Sequence, residues 1–561
     1  MSVLAPLFKM AEALLELLVP VVVKNIIDIG LPASDSRYII KSAGVLAVYA
    51  LMGLIFSITA QYFSAKAAVG FASDLRVDLF GHISTLSYSQ LDKTGTAALI
   101  TRLTSDINLA QNAVNLTLRL LLRSPFVVFG AVIMAFTVDA RSALVFAGAV
   151  PLLGIIIFAV MLVTMPLYKR VQDKLDLVLR GVRENLNGVR VLRAFSKEKE
   201  EISRFEGVSK ELYGASLFAG NISSVLNPVT YVLLNAAVIL LIYIGALRVN
   251  SGAMTQGAVV ALYNYTLQIL VELLKLANLI ISVSRGIAGA KRIETVFAEK
   301  PDMTYPENGA SPDYSLPAVE FKNVCLRYGE NSDDSLSDIS FTAEKGKKIG
   351  IIGATGSGKS SVISLIPRFY DSTGGRVFVF GRDVKEYSHK TLNELISVVP
   401  QKAVLFSGTV RDNILMGNEN ASDEEINSAL KSARAFDFIN EKGGLDAAAD
   451  QGGRNFSGGQ KQRITVARAL IKKAPILILD DSFSALDAVT EKNMREELFA
   501  LDYDPLIIIV SQRTAGVRHC DNILVFEDGK ITASGTHSEL LETSPAYAFI
   551  NKTEKGGAQI G

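Results

Sequence analysis

The first half of the chain is written in long apolar runs and the second half in short ones. Uncharged segments fill Ser42–Ala65, Ala143–Tyr168, Leu212–Leu247 and Val249–Val271. Each meets the requirement of roughly 20 apolar residues for a helix that crosses a bilayer. Ser124–Val138 is shorter but extends backward through "NLTLRLLL". An N-terminal segment, "LAPLFKMAEALLELLVPVVV", carries Lys9, Glu12 and Glu16 yet keeps a helical apolar period. The pattern predicts six spanning helices. Leu212–Leu247 holds no charge, so it reads as one span with a helical extension.

The stretches between spans alternate in length. Residues 28–41, 138–142 and 248–256 are short, whereas 66–113 and 169–211 are long, charged and helical in pattern. The long segments carry most of the Lys and Arg, which places them and both termini in the cytoplasm. Charges within spans are costly and draw attention to function. Glu12 with Glu16 and Arg119 with Arg123 share helix faces at i, i+4, and Glu272 with Lys275 is spaced for an ion pair. Two readings stand for the first four: a place near the interfaces or in structural pairs in the bundle, or the lining of a polar cavity.

After the Pro-, Asp- and Ser-rich stretch "EKPDMTYPENGASPDYSLPAVEF" the pattern changes to short β runs alternating with helices, an α/β domain. The sequence therefore divides into a membrane domain at 1–300, a linker at 301–317 and an α/β domain at 318–561. Within the last, "KIGIIGATGSGKSSVISLI" reads as strand, glycine loop and helix. Gly353, Gly356, Gly358, Lys359 and Ser360 fit G-x-x-x-x-G-K-S/T. In this motif backbone N–H groups and a helix N-terminus cradle phosphates, the lysine reaches the β- and γ-phosphates, and the hydroxyl holds magnesium. Further on, "ILILDDSFSALD" is a buried parallel strand tipped by Asp480 and Asp481, the position where open α/β sheets bind ligands.

Composition adds little to this picture. Of 561 residues 49% are apolar, and mean hydropathy is +0.31, an excess carried by the first half. A net charge of +1 gives no basic footprint for nucleic acid. Two cysteines, Cys325 and Cys520, cannot build a disulfide framework and read as reduced cytosolic thiols. No cleavable signal peptide is evident.

A second glycine-rich helix start, "NFSGGQKQRITVARAL", lies just upstream of the acid-tipped strand. Two phosphate-binding ends on one domain make sense if each nucleotide lies between two domains. With these motifs in hand the chain closely resembles the ATP-binding cassette (ABC) transporters. Six spans followed by one cassette look like a half-size exporter of the type IV architecture. "LDKTGTAALITRLTSDI" and "RENLNGVRVLRAF" are similar to that family's cytoplasmic helical loops.

The resemblance implies ATP and Mg2+ as cofactors, held by Tyr328, Gly353, Thr355, Gly356, Ser357, Gly358, Lys359, Ser360, Ser361, Gln401 and Asp480. Tyr328 would stack on adenine, and Ser360, Gln401 and Asp480 would surround the metal. Ser457, Gly458, Gly459 and Gln460 would form the signature loop that acts on a partner's ATP. Ser484 to Asp487 would cross the dimer interface. The segment around Phe195–Phe205 would include a coupling helix docked on a cassette. The implied setting is a bacterial plasma membrane, with multidrug or lipid-like amphipathic substrates.

The chain departs from the family pattern in three places. It begins almost directly in the first span, and Gln451 and Gly452 stand where many exporters have Glu-Arg. The catalytic pair differs as well: Asp481 stands for the usual Glu and Gln512, in "SQR", for the usual His. Asp and Glu have nearly equal basicity, so what Asp481 loses is reach, about 1.5 Å. A general base needs contact with its water, and losing one costs about 10²–10⁴-fold. Gln512 can hydrogen-bond but cannot take a proton. The site is thus expected to hold ATP and hydrolyse it poorly, while an intact signature loop serves a partner that supplies Glu and His. Such a heterodimer resembles the heterodimeric bacterial multidrug exporters. The alternatives are a homodimeric exporter with slow hydrolysis through Asp481, and an ATP-gated channel or regulatory subunit.

Overall fold

The computed structural model describes residues 2–329 and 332–557. By internal contacts it forms two compact units, residues 1–84 with 96–299 and residues 85–95 with 300–561. The contiguous partition expected from sequence left 85–95 in the membrane domain. This short segment instead packs with the second unit, although the chain on either side of it belongs to the first.

The first unit is all helical: α1 (Leu4–Asn25) and α2 (Ser36–Thr85), then, beyond the helix α3 (Tyr88–Thr94) that belongs to the second unit, α4 (Thr96–Thr101), α5 (Ile107–Leu120), α6 (Arg123–Val138), α7 (Ala140–Ala194), α8 (Glu198–Ser224), α9 (Leu226–Asn250) and α10 (Gln256–Ala298). Among the described residues, four helical stretches are long and apolar enough to cross a membrane: Ser36–Thr85, Thr96–Val138, Tyr231–Asn250 and Gln256–Ala298. The charged α1 and the uncharged stretch Ala143–Tyr168 of α7 are the other two of the six spans expected from the sequence. At 50 residues α2 is about 75 Å long, far beyond a bilayer's apolar thickness.

Two helices expected to run on are interrupted. The third span breaks at Leu121–Leu122 and the Leu212–Leu247 run breaks at Val225. The cause is the same: Pro125 and Pro228 each follow three residues later and have no N–H for the carbonyl one turn back.

The bundle core is rich in alanine (Ala13, Ala131, Ala135, Ala258, Ala261), which lets helices approach closely. Gly286 sits so close to Ala113 that any side chain there would collide with it. Large apolar residues such as Leu51, Ile55 and Ile58 of α2 and Val232, Ile239 and Tyr243 of α9 stay exposed, as a lipid-facing surface would be.

The second unit opens with β1 (Val319–Leu326), β2 (Leu336–Ala343), β3 (Lys348–Gly353), β4 (Gly374–Val379) and β5 (Arg382–Asp383). It continues with β6 (Ile396–Val399), β7 (Gly408–Thr409), β8 (Ala448–Ala449), β9 (Ile476–Asp480), β10 (Leu506–Ser511), β11 (Asn522–Glu527) and β12 (Lys530–Gly535). A six-stranded sheet runs in the order β12-β11-β3-β10-β9-β6, parallel except at the β12 edge. The order β2-β1-β4-β5 forms a separate antiparallel sheet, and β7 pairs with β8. The central strands are buried on both faces, which is why β9 and β10 are apolar without alternation.

Candidate active site

Strand β3 ends at Gly353, β9 at Asp480 and β10 at Ser511. The parallel register sets Ile352 beside Ser511 and Asp480 beside Val510. The glycine loop, the acid pair and Gln512 therefore leave the sheet together at its carboxyl edge. They surround a cleft of about 530 Å³. Thr355, Gly356, Gly358, Lys359, Ser360, Ser361, Gln401 and Asp480 line it, with both altered positions, Asp481 and Gln512. Gly353 and Ser357 line a neighbouring hollow instead.

The glycines have separate reasons. A Cβ at Gly353 would strike the Phe526 carbonyl, and Gly356 and Gly358 have φ of +85° and +97°. This is a cradle that only glycine leaves open. Lys359 is 7% exposed, and its ammonium donates to the carbonyls of Gly353 (2.9 Å) and Ala354 (2.6 Å). Burial pushes its pKa down, and the carboxylates of Asp481 and Asp480 oppose that. A phosphate entering the loop would give this ammonium a charged partner in place of two carbonyls.

The Ser360 hydroxyl lies 3.4 Å from Asp480 Oδ1. Burial raises the Asp480 carboxyl above its ordinary value, Asp481 adds to the rise, and the Ser360 hydrogen bond and Lys359 work against it. A buried carboxylate beside a hydroxyl suits a hard cation that keeps several waters and takes further oxygens from phosphates. The residues present thus fit ATP with magnesium.

Asp481 has φ of +45°, a left-handed conformation in which Asp is enriched. Its N–H donates to the Val510 carbonyl at 3.1 Å. Its own carbonyl accepts from the Ser484 hydroxyl at 2.9 Å. The backbone at Asp481 is thus bonded on both sides. Gln512 lies with its Oε1 3.4 Å from the Thr355 hydroxyl.

Tyr328 does not line the cleft. Its ring is 47% exposed and stands edge-on to Tyr370 at 5.0 Å, and its hydroxyl donates to Ser361 Oγ at 3.0 Å. Ser457, Gly458, Gly459 and Gln460 also lie outside the cleft. Ser457 and Gln460 form a capping box on the helix Gly458–Leu470, each side chain bonding the other's backbone N–H. A Cβ on Gly459 would come within 2.8 Å of the Ala485 carbonyl, so this glycine lets the signature helix touch the Ser484–Asp487 loop. Gly452 has φ of +72°, which accounts for glycine there.

The sequence did not reveal Asp333, Asp334, Ser335, Asp528 and Gly529 as cleft-lining residues. Asp528-Gly529 was legible only as the hairpin turn between β11 and β12. Its proximity to the P-loop comes from the Ser335 carbonyl, wedged between Gly358 and Gly529.

In the helical unit Arg123 is 6% exposed and bonds Glu16 (2.7 Å) and Glu272 (2.5 Å). Glu272 also accepts from Lys275 (2.7 Å) and Ser124 (2.8 Å). Both earlier readings hold in part. Glu12, Glu16 and Arg123 do line a cleft, of about 560 Å³, yet each is also ion-paired, whereas Arg119 does not line it. Between α7 and α8 the chain turns at Ser196, φ +53°, with Phe195 exposed.

A helical membrane bundle joined to a P-loop cassette whose sheet carries an acid-tipped strand defines an ATP-driven membrane transporter. The chain belongs to the ABC transporters. The family described as "ABC transporter transmembrane region" matches residues 2–273, and that described as "ABC transporter" matches residues 336–484. An uncharacterised ABC transporter ATP-binding protein of Mycobacterium tuberculosis (strain CDC 1551 / Oshkosh) is 35% identical over 559 residues, 99% of this chain and 96% of that one. An ATP-dependent lipid A-core flippase of Hahella chejuensis is 30% identical, over 93% of this chain and 89% of its own. The solved structure of a bacterial Atm1-family ABC exporter with ATP bound has the same fold. Its TM-score is 0.79 at 22% identity, over 98% of this chain and 96% of that one. The chain is an ABC exporter half-transporter whose cassette binds ATP.

Proposed function

We propose that this chain is one subunit of a heterodimeric exporter, in which its own site binds Mg-ATP and turns it over slowly. Tyr328 stacks on the base, and the loop from Gly353 to Ser361 takes the phosphates. Ser360, Gln401 and Asp480 complete the magnesium shell, and Gln512 faces the γ-phosphate. Ser457, Gly458, Gly459 and Gln460 complete the hydrolytic site of a partner that supplies Glu and His. One observation carries the reading. The Asp481 backbone is bonded at both its N–H and its carbonyl, so the shorter side chain cannot be brought nearer a water by local adjustment. The exported substrate is amphipathic and lipid-like or drug-like. The likeness to lipid A-core flippases supports that class, as does a cleft combining Leu15, Val19 and Leu54 with Glu12 and Glu16.

Co-expression with a candidate partner and comparison of two single variants tests this. Asp481→Asn should leave the ATPase rate nearly unchanged, and the matching Glu→Gln in the partner should abolish it. If the chain purifies alone as a dimer and Asp481→Asn removes a robust activity, the heterodimer reading is wrong and Asp481 is a working base.

A further inference from the structure

The turn that carries Gln512 is held by the far end of the chain. Ser511 and Thr514 are buried, at 7% and 3% exposure, while Gln512 and Arg513 between them are exposed. The short helix Thr514–Val517 starts here, and its first N–H groups have no intrahelical acceptor. Such donors are usually satisfied by the side chain of the residue just before the helix. That residue is Arg513, which offers no acceptor. Glu554, on the C-terminal helix Pro545–Gly557, takes its place. A single carboxylate oxygen, Oε2, accepts from Thr514 N (2.8 Å), Thr514 Oγ1 (2.5 Å) and Ala515 N (3.4 Å).

The other side of the turn is fixed differently. The Ser511 hydroxyl donates to the Arg513 carbonyl and accepts from its N–H, both at 3.0 Å. Of the two residues between the strand end and this carboxylate clamp, Arg513 has its own bonds to Ser511 and to Glu491 (3.1 Å), which leaves Gln512 to follow where both sides are held. Gln has more rotatable bonds than His, so its aim depends more on where the backbone is held.

We propose that Glu554 is a positioning residue for Gln512, fixing from the C-terminal helix the direction in which this side chain meets the third phosphate. The proposal rests on the reading that Gln512 faces the γ-phosphate. Glu554 does not line the cleft, so its effect should be confined to discrimination between triphosphate and diphosphate.

The test uses the purified full chain in detergent, with the Kd of the non-hydrolysable β,γ-imido analogue of ATP and of ADP measured in the presence of Mg2+. Gln512→Ala and Glu554→Ala should each cut the triphosphate preference by about threefold to tenfold, the value of one hydrogen bond. The double variant should be no worse than either single one, because both remove the same contact. Glu554→Gln keeps an accepting oxygen and should retain most of the preference. If Glu554→Ala does not fold, Thr514→Val, which deletes one of the three donors and keeps the shape, should give a smaller loss of the same kind. Equal weakening of both nucleotides by Glu554→Ala, an unchanged ratio, or multiplicative losses in the double variant would overturn the positioning role. An unchanged ratio in Gln512→Ala would instead overturn the γ-phosphate reading beneath it.

Discussion

The hydroxyl of Tyr370 donates to Asp92 Oδ2 at 2.6 Å, joining the stretch just after the P-loop helix to the short helix α3. Tyr370 also stands edge-on to Tyr328, whose hydroxyl reaches Ser361. A continuous set of contacts thus leads from the P-loop helix to residues 85–95, the segment whose flanks belong to the membrane helices. Tyr88 packs on Phe369 at 4.8 Å and holds the same segment by its ring alone. Tyr370→Phe should therefore loosen the segment without releasing it. Amide-exchange protection in 85–95 should fall about fivefold, the equivalent of ~1 kcal/mol for one hydrogen bond. Unchanged protection would mean that the Tyr88 ring contact and the Gln90–Lys300 hydrogen bond suffice to hold it.

Asp480 is expected to trade stability for function. Burial raises its folded-state pKa above the unfolded value. A carboxyl of this kind contributes stability in acid, below its unfolded pKa, and loses that contribution as pH rises through the folded pKa. At pH 7–8 the desolvated carboxyl is a cost to the folded state until a cation reaches it. Asp480→Asn should raise the melting temperature of the nucleotide-free chain at pH 7–8 and raise it less near pH 4. It should also lose most of the stabilisation by Mg-ATP, which for a native site at a hundredfold excess over Kd is about 2.7 kcal/mol. A thermal-shift series with and without Mg2+ reads both effects, and an undiminished Mg-ATP shift would show that Asp480 holds no metal.

What could be read in the sequence was whatever depends on local chemistry. The P-loop, the acid-tipped strand and the signature loop each announce themselves, because their glycines, acids and caps are fixed by short-range backbone requirements. The helix breaks at Leu121–Leu122 and Val225 were not read, although Pro125 and Pro228 lie just downstream, because the apolar pattern continues across both. Other features depend on residues far apart in the chain. Ser335 reaches the cleft only because Gly358 and Gly529 both lack side chains beside it. Glu554 looks like any helix-surface acid until the fold brings it to Thr514. The assignment of 85–95 to the second unit arises from Tyr88, Gln90 and Asp92 meeting Phe369, Lys300 and Tyr370.

Arg123 illustrates the same limit within the bundle. Its spacing with Arg119 suggested a shared face, but its partners, Glu16 and Glu272, come from α1 and α10. Removing Arg123 leaves the buried Glu272 with Lys275 and Ser124 as its remaining partners, so Arg123→Met should destabilise the detergent-solubilised chain by about 2 kcal/mol. Glu16 is 40% exposed at its side chain. Glu16→Gln leaves the Arg123–Glu272 bond intact and should cost under ~1 kcal/mol. Thermal unfolding followed by monodispersity separates them, and equal losses would mean that the Arg123–Glu272 bond adds nothing beyond the Arg123–Glu16 one.

Gly459 offers a way to damage the signature loop without touching this chain's own nucleotide. An alanine Cβ would approach the Ala485 carbonyl to 2.8 Å, closer than packed atoms allow, and would push the helix start away from the Ser484–Asp487 loop. Neither element lines the P-loop cleft. Gly459→Ala should leave ATP binding to the isolated chain within about twofold of normal, while the assembled transporter loses about tenfold or more of its ATPase rate, at least ~1.4 kcal/mol of barrier. Nucleotide titration of the chain alone and steady-state turnover of the pair give the two numbers. A parallel loss of binding and turnover would mean that the signature loop acts within its own chain. Loss of turnover alone requires that it act on a nucleotide held by another cassette.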